Sequence, residues 1–162
     1  MESVIIPIEK KSGAQECVDF RTISVVSYAS KIVLKIFTRR LESKAEMFLE
    51  KDQCGFRKGR GTRDAIAALR VMYERSLEHH KKVYVCHVDF EKAFDRVNWY
   101  KLMSILKSMG VDWRDRKLIW HLYNGQKAYV QIGEKQSGAC SIGRGVRQGC
   151  SLSPLLFTLR HQ

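Results

Sequence analysis

The chain has 162 residues, of which 44% are hydrophobic and 28% charged, and its formal net charge is +12. Only two prolines, no low-complexity tract and no repeat argue against disorder and against a solenoid. The length suits one compact unit with its own core. The excess of 29 basic over 17 acidic residues favours a polyanionic partner, although a solvated basic surface or an acidic partner would also explain it.

The cysteines and the apolar runs argue against several further classes of protein. Five cysteines without CxxC or Cys/His spacing argue against a zinc ribbon and against a disulfide framework. No segment reaches the length of a membrane span, and Pro7 interrupts the short apolar run at 4–8, so we expect no signal peptide and no membrane partner. The default setting is intracellular, with nucleus and cytoplasm not distinguished and the oligomeric state left open.

The first fifty residues predict two strands and a helix. Residues 4–8 and 20–26 are β-rich, with a polar loop at 10–19 between them. Apolar positions repeat at helical spacing over about 27–49, and Ser27 is the predicted N-cap. The apolar positions that repeat at this spacing are Ile32, Val33, Ile36, Phe37 and Leu41.

A glycine-rich break at 51–61 precedes a second helix over about 62–79. The residues that this helix is expected to bury are Ile66, Leu69, Met72, Tyr73 and Leu77. Residues 83–90 are apolar and β-branched on both parities, which predicts a strand covered on both faces.

Two helices and a pair of strands follow. Asn98 is the predicted N-cap of a third helix that ends at Gly110, and a fourth helix covers 113–124. Residues 127–133 and 137–143 alternate as strands around a turn, and the chain then enters a last helix. The order of elements predicts an α+β fold in which one sheet carries helices, without a linker that would divide it.

Asp89 stands at the end of the predicted strand at 83–90. A carboxylate buried there needs a cation to offset its desolvation, and nucleotidyl transfer uses such carboxylates to hold two Mg²⁺ ions about 4 Å apart. From the strand pattern alone, an Asp that pairs with a nearby Lys or caps the next turn is the simpler interpretation.

Two loops have the composition of ligand-binding loops. At Gln148-Gly149 the glycine permits close approach of the backbone to a ligand, and the following helix presents its N-terminal amides. Residues 53–63 form a basic, glycine-containing loop that leads into a helix N-terminus, which suits phosphate. Taken singly, an ordinary glycine turn and a solvated basic loop are the plainer explanations.

Together these segments resemble the reverse transcriptases of non-LTR (LINE-type) retrotransposons. The segments that carry the resemblance, in the family's order, are residues 7–11, 19–24, 53–63, 89–95 and 146–157. The resemblance covers nearly all of residues 4–159. It implies a partial right-hand polymerase fold over 1–162, with a fingers-like part at about 1–80 and an incomplete palm with inserted elements at about 81–162, and no thumb.

The resemblance also implies roles for single residues. Asp89 would bind both Mg²⁺ ions and the carbonyl of Phe90 the second of them. Phe94 would be the steric gate that favours deoxynucleotides, with a plain core aromatic as the alternative. Lys10 and Arg21 would hold the triphosphate of the incoming nucleotide.

Some of these assignments have close alternatives. Lys11 is the rival of Lys10, and Asp95 is expected to be structural, pairing with Arg96 or Arg147. The nucleotide and templating base would lie against Gln148 and Gly149, and the template backbone against Arg57, Lys58, Arg60 and Arg63. The implied partners are an RNA template, a DNA primer and deoxynucleoside triphosphates.

One family motif is missing. Family members place two adjacent aspartates some tens of residues after the Gln-Gly motif, whereas this sequence has no Asp after Asp115. One Asp does not hold two divalent ions, so we expect a truncated, catalytically incomplete polymerase. The alternatives are a basic RNA-binding fragment without catalysis and a non-functional relic.

Overall fold

The computed structural model describes residues 2–159, which form a five-stranded sheet and five α-helices. The elements in chain order are β1 Glu2–Glu9, β2 Phe20–Val25, α1 Tyr28–Phe48, α2 Thr62–Glu78, α3 Trp99–Ser108, α4 Trp113–Tyr123, β3 Lys127–Ile132, β4 Lys135–Gln136, β5 Cys140–Ser141 and α5 Ser153–Thr158. Two short 3-10 turns lie at Cys17–Asp19 and Ala93–Arg96. The mixed composition confirms the expected α+β class.

The sheet is built around β1. This strand pairs antiparallel with β2 and parallel with β3, so that Val4 lies between Val25 and Tyr129. β3 also pairs antiparallel with β4 and β5. The β1–β2 hairpin therefore forms one edge of the sheet, and its loop is free to contribute to a site.

The core lies among α1, α3, α4 and α5. Leu41, Leu106, Ile119 and Leu156 are fully buried there. Local signals fix the helix starts as predicted: the Ser27 hydroxyl accepts from the Ser30 amide, and the Asn98 side chain accepts from the Lys101 amide. None of the helices within residues 2–159 combines the length and apolarity needed to cross a bilayer.

The buried side of α1 includes only some of the apolar positions that repeat at helical spacing. Leu34, Phe37, Leu41 and Ala45 are buried, as one stripe of a helix. Ile32, Val33 and Ile36 are exposed. Both sides of α1 are apolar, and the spacing alone does not say which side meets the core.

The expected burial along α2 was wrong. The helix forms where predicted, and the Asp64 carboxylate accepts from the Gly61 amide at its start. Yet none of its residues is buried, Leu69 is half-buried, and the other predicted core positions are exposed. These exposed positions are Ile66, Met72, Tyr73 and Leu77.

Residues 83–90 do not form the predicted strand. They belong to no described strand, and every one of them is exposed. Their composition is that of a covered strand, but no strand within residues 2–159 pairs with them. Asp89 therefore lies at an exposed position rather than at the end of a buried strand.

The predicted strand at 137–143 is shorter than expected. Only Cys140–Ser141 forms a ladder with β3, and Lys135–Gln136, expected in the turn, is a strand. The turn itself is at Gly133, whose φ is +58°.

Candidate functional site

Five of the predicted site residues line one cleft of about 470 Å³. They are Lys10, Arg21, Asp89, Phe90 and Gln148. Because these residues come from three distant parts of the sequence, only the fold brings them together. The arrangement places guanidinium, ammonium, carboxylate and carboxamide groups around one concave surface.

The β1–β2 hairpin supplies the cationic side of the cleft. Arg21 lies near the start of β2, paired with Ile8 of β1. The Lys10 amide donates to the Asp19 carbonyl at 2.9 Å and closes the hairpin loop. Arg21 therefore projects from a strand pair whose register is fixed by backbone hydrogen bonds, and Lys10 from the loop directly after β1.

The hairpin also separates the two candidate lysines. The Lys10 ammonium donates to the Val18 carbonyl at 2.6 Å and lines the cleft. Lys11 instead pairs with the Asp19 carboxylate at 3.1 Å and is not among the cleft residues. The geometry favours Lys10 for an anionic ligand, with two ammonium protons left for further acceptors.

The turn at Gln148-Gly149 lies against the end of β2. The Ser24 amide donates to the Gln148 carbonyl at 2.9 Å. Gly149 has a φ of +97°, and a β-carbon there would stand 3.2 Å from the Ser24 carbonyl oxygen. The positive φ and the close Ser24 carbonyl oxygen both favour a glycine at this position.

The 3-10 turn at Ala93–Arg96 is fastened to the segment before Gln148. The Val146 amide donates to the Phe94 carbonyl at 2.9 Å, and the Gly145 amide to the Val97 carbonyl at 2.8 Å. These two bonds couple the segments that carry Asp89 and Gln148, although the two lie about fifty residues apart in sequence.

Asp95 has a different side-chain partner from the two that were expected. Its carboxylate accepts from the Gln148 carboxamide at 3.4 Å. Arg96 pairs with Glu91 at 3.5 Å, and Arg147 turns inward. The expected pairing of Asp95 with either arginine was therefore wrong, because the close approach of the two loops presents Gln148 to it first.

Arg147 attaches the Gln148-Gly149 turn to the protein interior. Its side chain is buried and donates to the Gln126 side-chain oxygen and to the Leu122 carbonyl, each at 3.0 Å. Burial lowers the pKa of this guanidinium from its ordinary value. Leu122 lies in the last turn of α4, where the carbonyl groups favour a cation.

Several cleft residues were missed by the sequence reasoning. Glu91, Lys92 and Asp95 lie in the cleft beside Asp89, and Thr22 beside Arg21. Lys92 adopts a left-handed conformation with a φ of +51°, which is uncommon for a residue other than glycine. All four adjoin a predicted site residue or its turn, so the motifs pointed to the right segments but not to these side chains.

The carboxylates of the cleft do not make a two-metal site. Within residues 2–159, no three His, Cys, Asp or Glu side chains come together closely enough to hold a metal ion. Asp89 with the Phe90 carbonyl offers too few oxygen ligands for two Mg²⁺ ions. The donor set of these residues does not fit the metals that the resemblance implies, and no chemical step through them is derived.

Phe94 packs in an aromatic cluster. Its ring stacks on Phe157 at 4.5 Å between centroids, and Phe56 meets both rings edge-on at 5.8 and 6.0 Å. The same residue borders a smaller cavity with Gln148 and Gly149. Phe94 therefore fits the alternative interpretation of a packed aromatic residue. It also lies beside Gln148 and Gly149, the candidate nucleotide-binding residues.

The basic loop divides into anchored and exposed residues. Arg57 donates to both carboxylate oxygens of Glu46 on α1 and to the Glu50 carbonyl, and its side chain is only 7% exposed. Arg60 donates to the Lys51 carbonyl but is exposed, as are Lys58 and Arg63. The guanidinium of Arg57 therefore attaches the loop to α1.

Residues 8–161 match the sequence model of the family described as reverse transcriptase (RNA-dependent DNA polymerase). The match covers almost the whole chain and includes every segment of the cleft.

The curated relatives are mobile-element proteins. The chain is 27% identical over 157 residues to the Retrovirus-related Pol polyprotein from type-1 retrotransposable element R2 of Nasonia vitripennis. It is 29% identical over 157 residues to the type-2 element R2DM polyprotein of Drosophila melanogaster, and 26% identical over 164 residues to the RNA-directed DNA polymerase from mobile element jockey of Drosophila funebris.

Each alignment covers 97% of this chain but only 15%, 14% and 17% of the respective relative. The chain thus spans about a sixth of the length of these proteins. The chain belongs to the reverse transcriptase family, and its sequence matches the reverse transcriptase domain of non-LTR, LINE-type elements.

Proposed function

We propose that this chain is the part of a non-LTR reverse transcriptase that receives the incoming deoxynucleoside triphosphate beside an RNA template and a DNA primer. The observation that carries the proposal is the shared cleft of Arg21, Asp89 and Gln148. Residues about 1–80 then correspond to fingers, and residues about 81–162 to part of the palm.

The cationic hairpin is the proposed triphosphate site. Arg21 offers a planar fork of donors that matches phosphate oxygens, and Lys10 adds a point charge next to it. A triphosphate on these two groups brings its sugar and base toward Gln148 and Gly149, whose turn lies against β2. Phe94, on the rim of this turn, is the proposed gate against a ribose 2′-hydroxyl.

The template strand is proposed to follow the exposed part of the basic loop. Lys58, Arg60 and Arg63 supply its positive charge, since sequence-independent phosphate contacts come from such side chains. The contact assigned to Arg57 by resemblance stays a prediction, and its ion pair with Glu46 supports a role in fixing the loop.

A nucleotide titration tests the proposal directly. A fluorescent deoxynucleoside triphosphate is expected to bind the purified chain, and Arg21→Ala to weaken binding about tenfold, the loss of one charge-assisted phosphate contact. Arg75→Ala, at an exposed arginine on α2 outside the cleft, is the matched control. Equal affinity of the two variants, or no binding by the parent chain, would refute the proposed site.

The donor set also predicts the limit of this function. We propose that the 162-residue chain alone binds nucleotide without joining it to a primer, because within residues 2–159 the carboxylates near Asp89 do not come together as a metal site. Primer extension on an RNA template with Mg²⁺ and deoxynucleotides is expected to give no product. Incorporation that disappears on Asp89→Ala would contradict this.

A further inference from the structure

A second surface, outside the cleft, has the composition of a nucleic-acid interface. It lies on the α3–α4 helix pair and is built from Tyr100, Lys107, Trp113, Lys117 and Trp120; we refer to these five residues as the aromatic-basic ridge. None of them lines the cleft that holds Arg21 and Asp89. The inference therefore goes beyond the proposed function.

Large aromatic rings on this ridge are open to solvent. Trp113 is 57% exposed and Tyr100 is 74% exposed. Tyr100 contacts Trp120 across the helix pair, with ring centroids 5.2 Å apart. Trp113 and Trp120 are seven residues apart on α4, so they lie on one side of it, about 10 Å apart along the axis.

Cations stand beside the exposed ring. The Arg114 guanidinium carbon is 5.8 Å and the Lys117 ammonium 5.9 Å from the centre of the Trp113 ring. Lys117 lies between the two tryptophans on the same side of α4, and Lys107 is exposed on α3. Flat apolar surface thus alternates with positive charge.

The negative charges of the helix pair are already engaged. Residues 99–123 contain five lysines and arginines against two aspartates. Asp112 accepts from the Arg114 amide at 2.7 Å as the N-cap of α4, and Asp115 pairs with Arg40 at 3.2 Å. The ridge is therefore complementary to a polyanion rather than to an acidic–basic mixed surface.

We propose that the aromatic-basic ridge binds single-stranded nucleic acid, with unpaired bases stacked on Trp113 and the Tyr100–Trp120 pair and phosphates held by Lys107 and Lys117. Aromatic platforms interleaved with cations are the physical means by which proteins hold single strands without reading sequence. At about 3.4 Å per stacked nucleotide, the spacing of the two ring sites corresponds to bases three nucleotides apart.

Anisotropy titrations with a labelled eight-nucleotide RNA and with an abasic strand of equal length test the proposal. Trp113→Leu is expected to weaken RNA binding about fivefold or more and to leave abasic binding nearly unchanged, because only bases stack. Lys117→Glu is expected to weaken both. Tyr28→Leu and Lys35→Glu, at an exposed aromatic residue and an exposed lysine on α1, are the controls and are expected to bind like the parent chain.

Four outcomes would overturn the proposal. They are no RNA binding by the parent chain, equal affinities of Trp113→Leu and Tyr28→Leu, an equal loss on the abasic strand, and binding to anionic phosphatidylserine vesicles that depends on Trp113 while RNA binding does not. The last outcome would identify a membrane surface instead. Circular dichroism and melting of each variant establish that the fold is kept, so a loss of binding is not a loss of structure.

Discussion

Gly145 lies directly against the backbone of Asp95. A β-carbon at position 145 would stand 2.9 Å from both the Cα and the carbonyl oxygen of Asp95. The Gly145 carbonyl also accepts from the Trp99 indole at 2.7 Å in the protein interior. The two segments that supply Asp89 and Gln148 to the cleft therefore meet at a point where only hydrogen fits.

Gly145→Ala is expected to destabilise the chain by roughly 2 kcal/mol or more. The substitution combines a left-handed φ of +96° with the clash against Asp95. Urea unfolding followed by circular dichroism measures the change in the free energy of unfolding. Gly138→Ala, at a glycine with no heavy atom within 4 Å of the added carbon, is the control and is expected to lose no stability.

The ion pair between Glu46 and Arg57 predicts a defined pH dependence. The hydrogen bond from Arg57 lowers the pKa of the Glu46 carboxyl from its ordinary 4.5, so folding favours the ionised form. The stability from this pair is present above the unfolded pKa and is lost as the pH falls through the lowered folded pKa.

Glu46→Gln tests this sign. At pH 7 the variant is expected to melt below the parent chain, and the gap in Tm is expected to narrow below about pH 4.5 and then vanish. Glu42→Gln, one turn earlier on α1, controls for the loss of one negative charge. A gap that stays constant down to pH 2 would contradict the pairing of Glu46 with Arg57.

Replacing a leucine by alanine is expected to lower the stability of the chain strongly on α1 and hardly at all on α2. Leu41 is 1% exposed and Leu77 is 75% exposed. Leu41→Ala is expected to cost about 2–5 kcal/mol, whereas Leu77→Ala stays within about 0.5 kcal/mol of the parent chain. Chemical denaturation measures the free energy of unfolding of both variants, which carry the same Leu-to-Ala substitution at different positions. A large loss at Leu77 would mean that α2 is packed in solution.

The hydrogen bonds of the buried Arg147 are expected to contribute to the stability of the fold. Arg147→Met removes donors to the Gln126 side chain and to the Leu122 carbonyl and is expected to cost about 2 kcal/mol. Adding Gln126→Met to this variant removes a side chain whose own buried Nε2 has no hydrogen-bond partner among residues 2–159. The double variant is therefore expected to be no less stable than Arg147→Met alone, and unfolding curves of both decide it.

Local features of the fold were predictable from sequence, and features set by distant partners were not. The caps at Ser27 and Asn98 depend on residues within one turn, and both are confirmed. The burial of residues 83–90 and of α2 depends on what packs against them, which spacing does not specify.

The candidate site shows the same division. Motif order identified Arg21, Asp89 and Gln148, which share the cleft. It did not identify the hydrogen bond from Gln148 to Asp95, because that contact depends on how closely two loops approach.

The two sides of the cleft differ in how much regular backbone pairing holds them in place. Arg21 belongs to a strand that is paired along its length, whereas Asp89 belongs to an exposed stretch outside the sheet. A ligand that bridges them must immobilise the looser side, and part of its binding free energy is used for that ordering. Hydrogen exchange is expected to be slow for the amides of β2 and fast for the amides before Asp89. Bound nucleotide is expected to slow exchange only in the segment before Asp89.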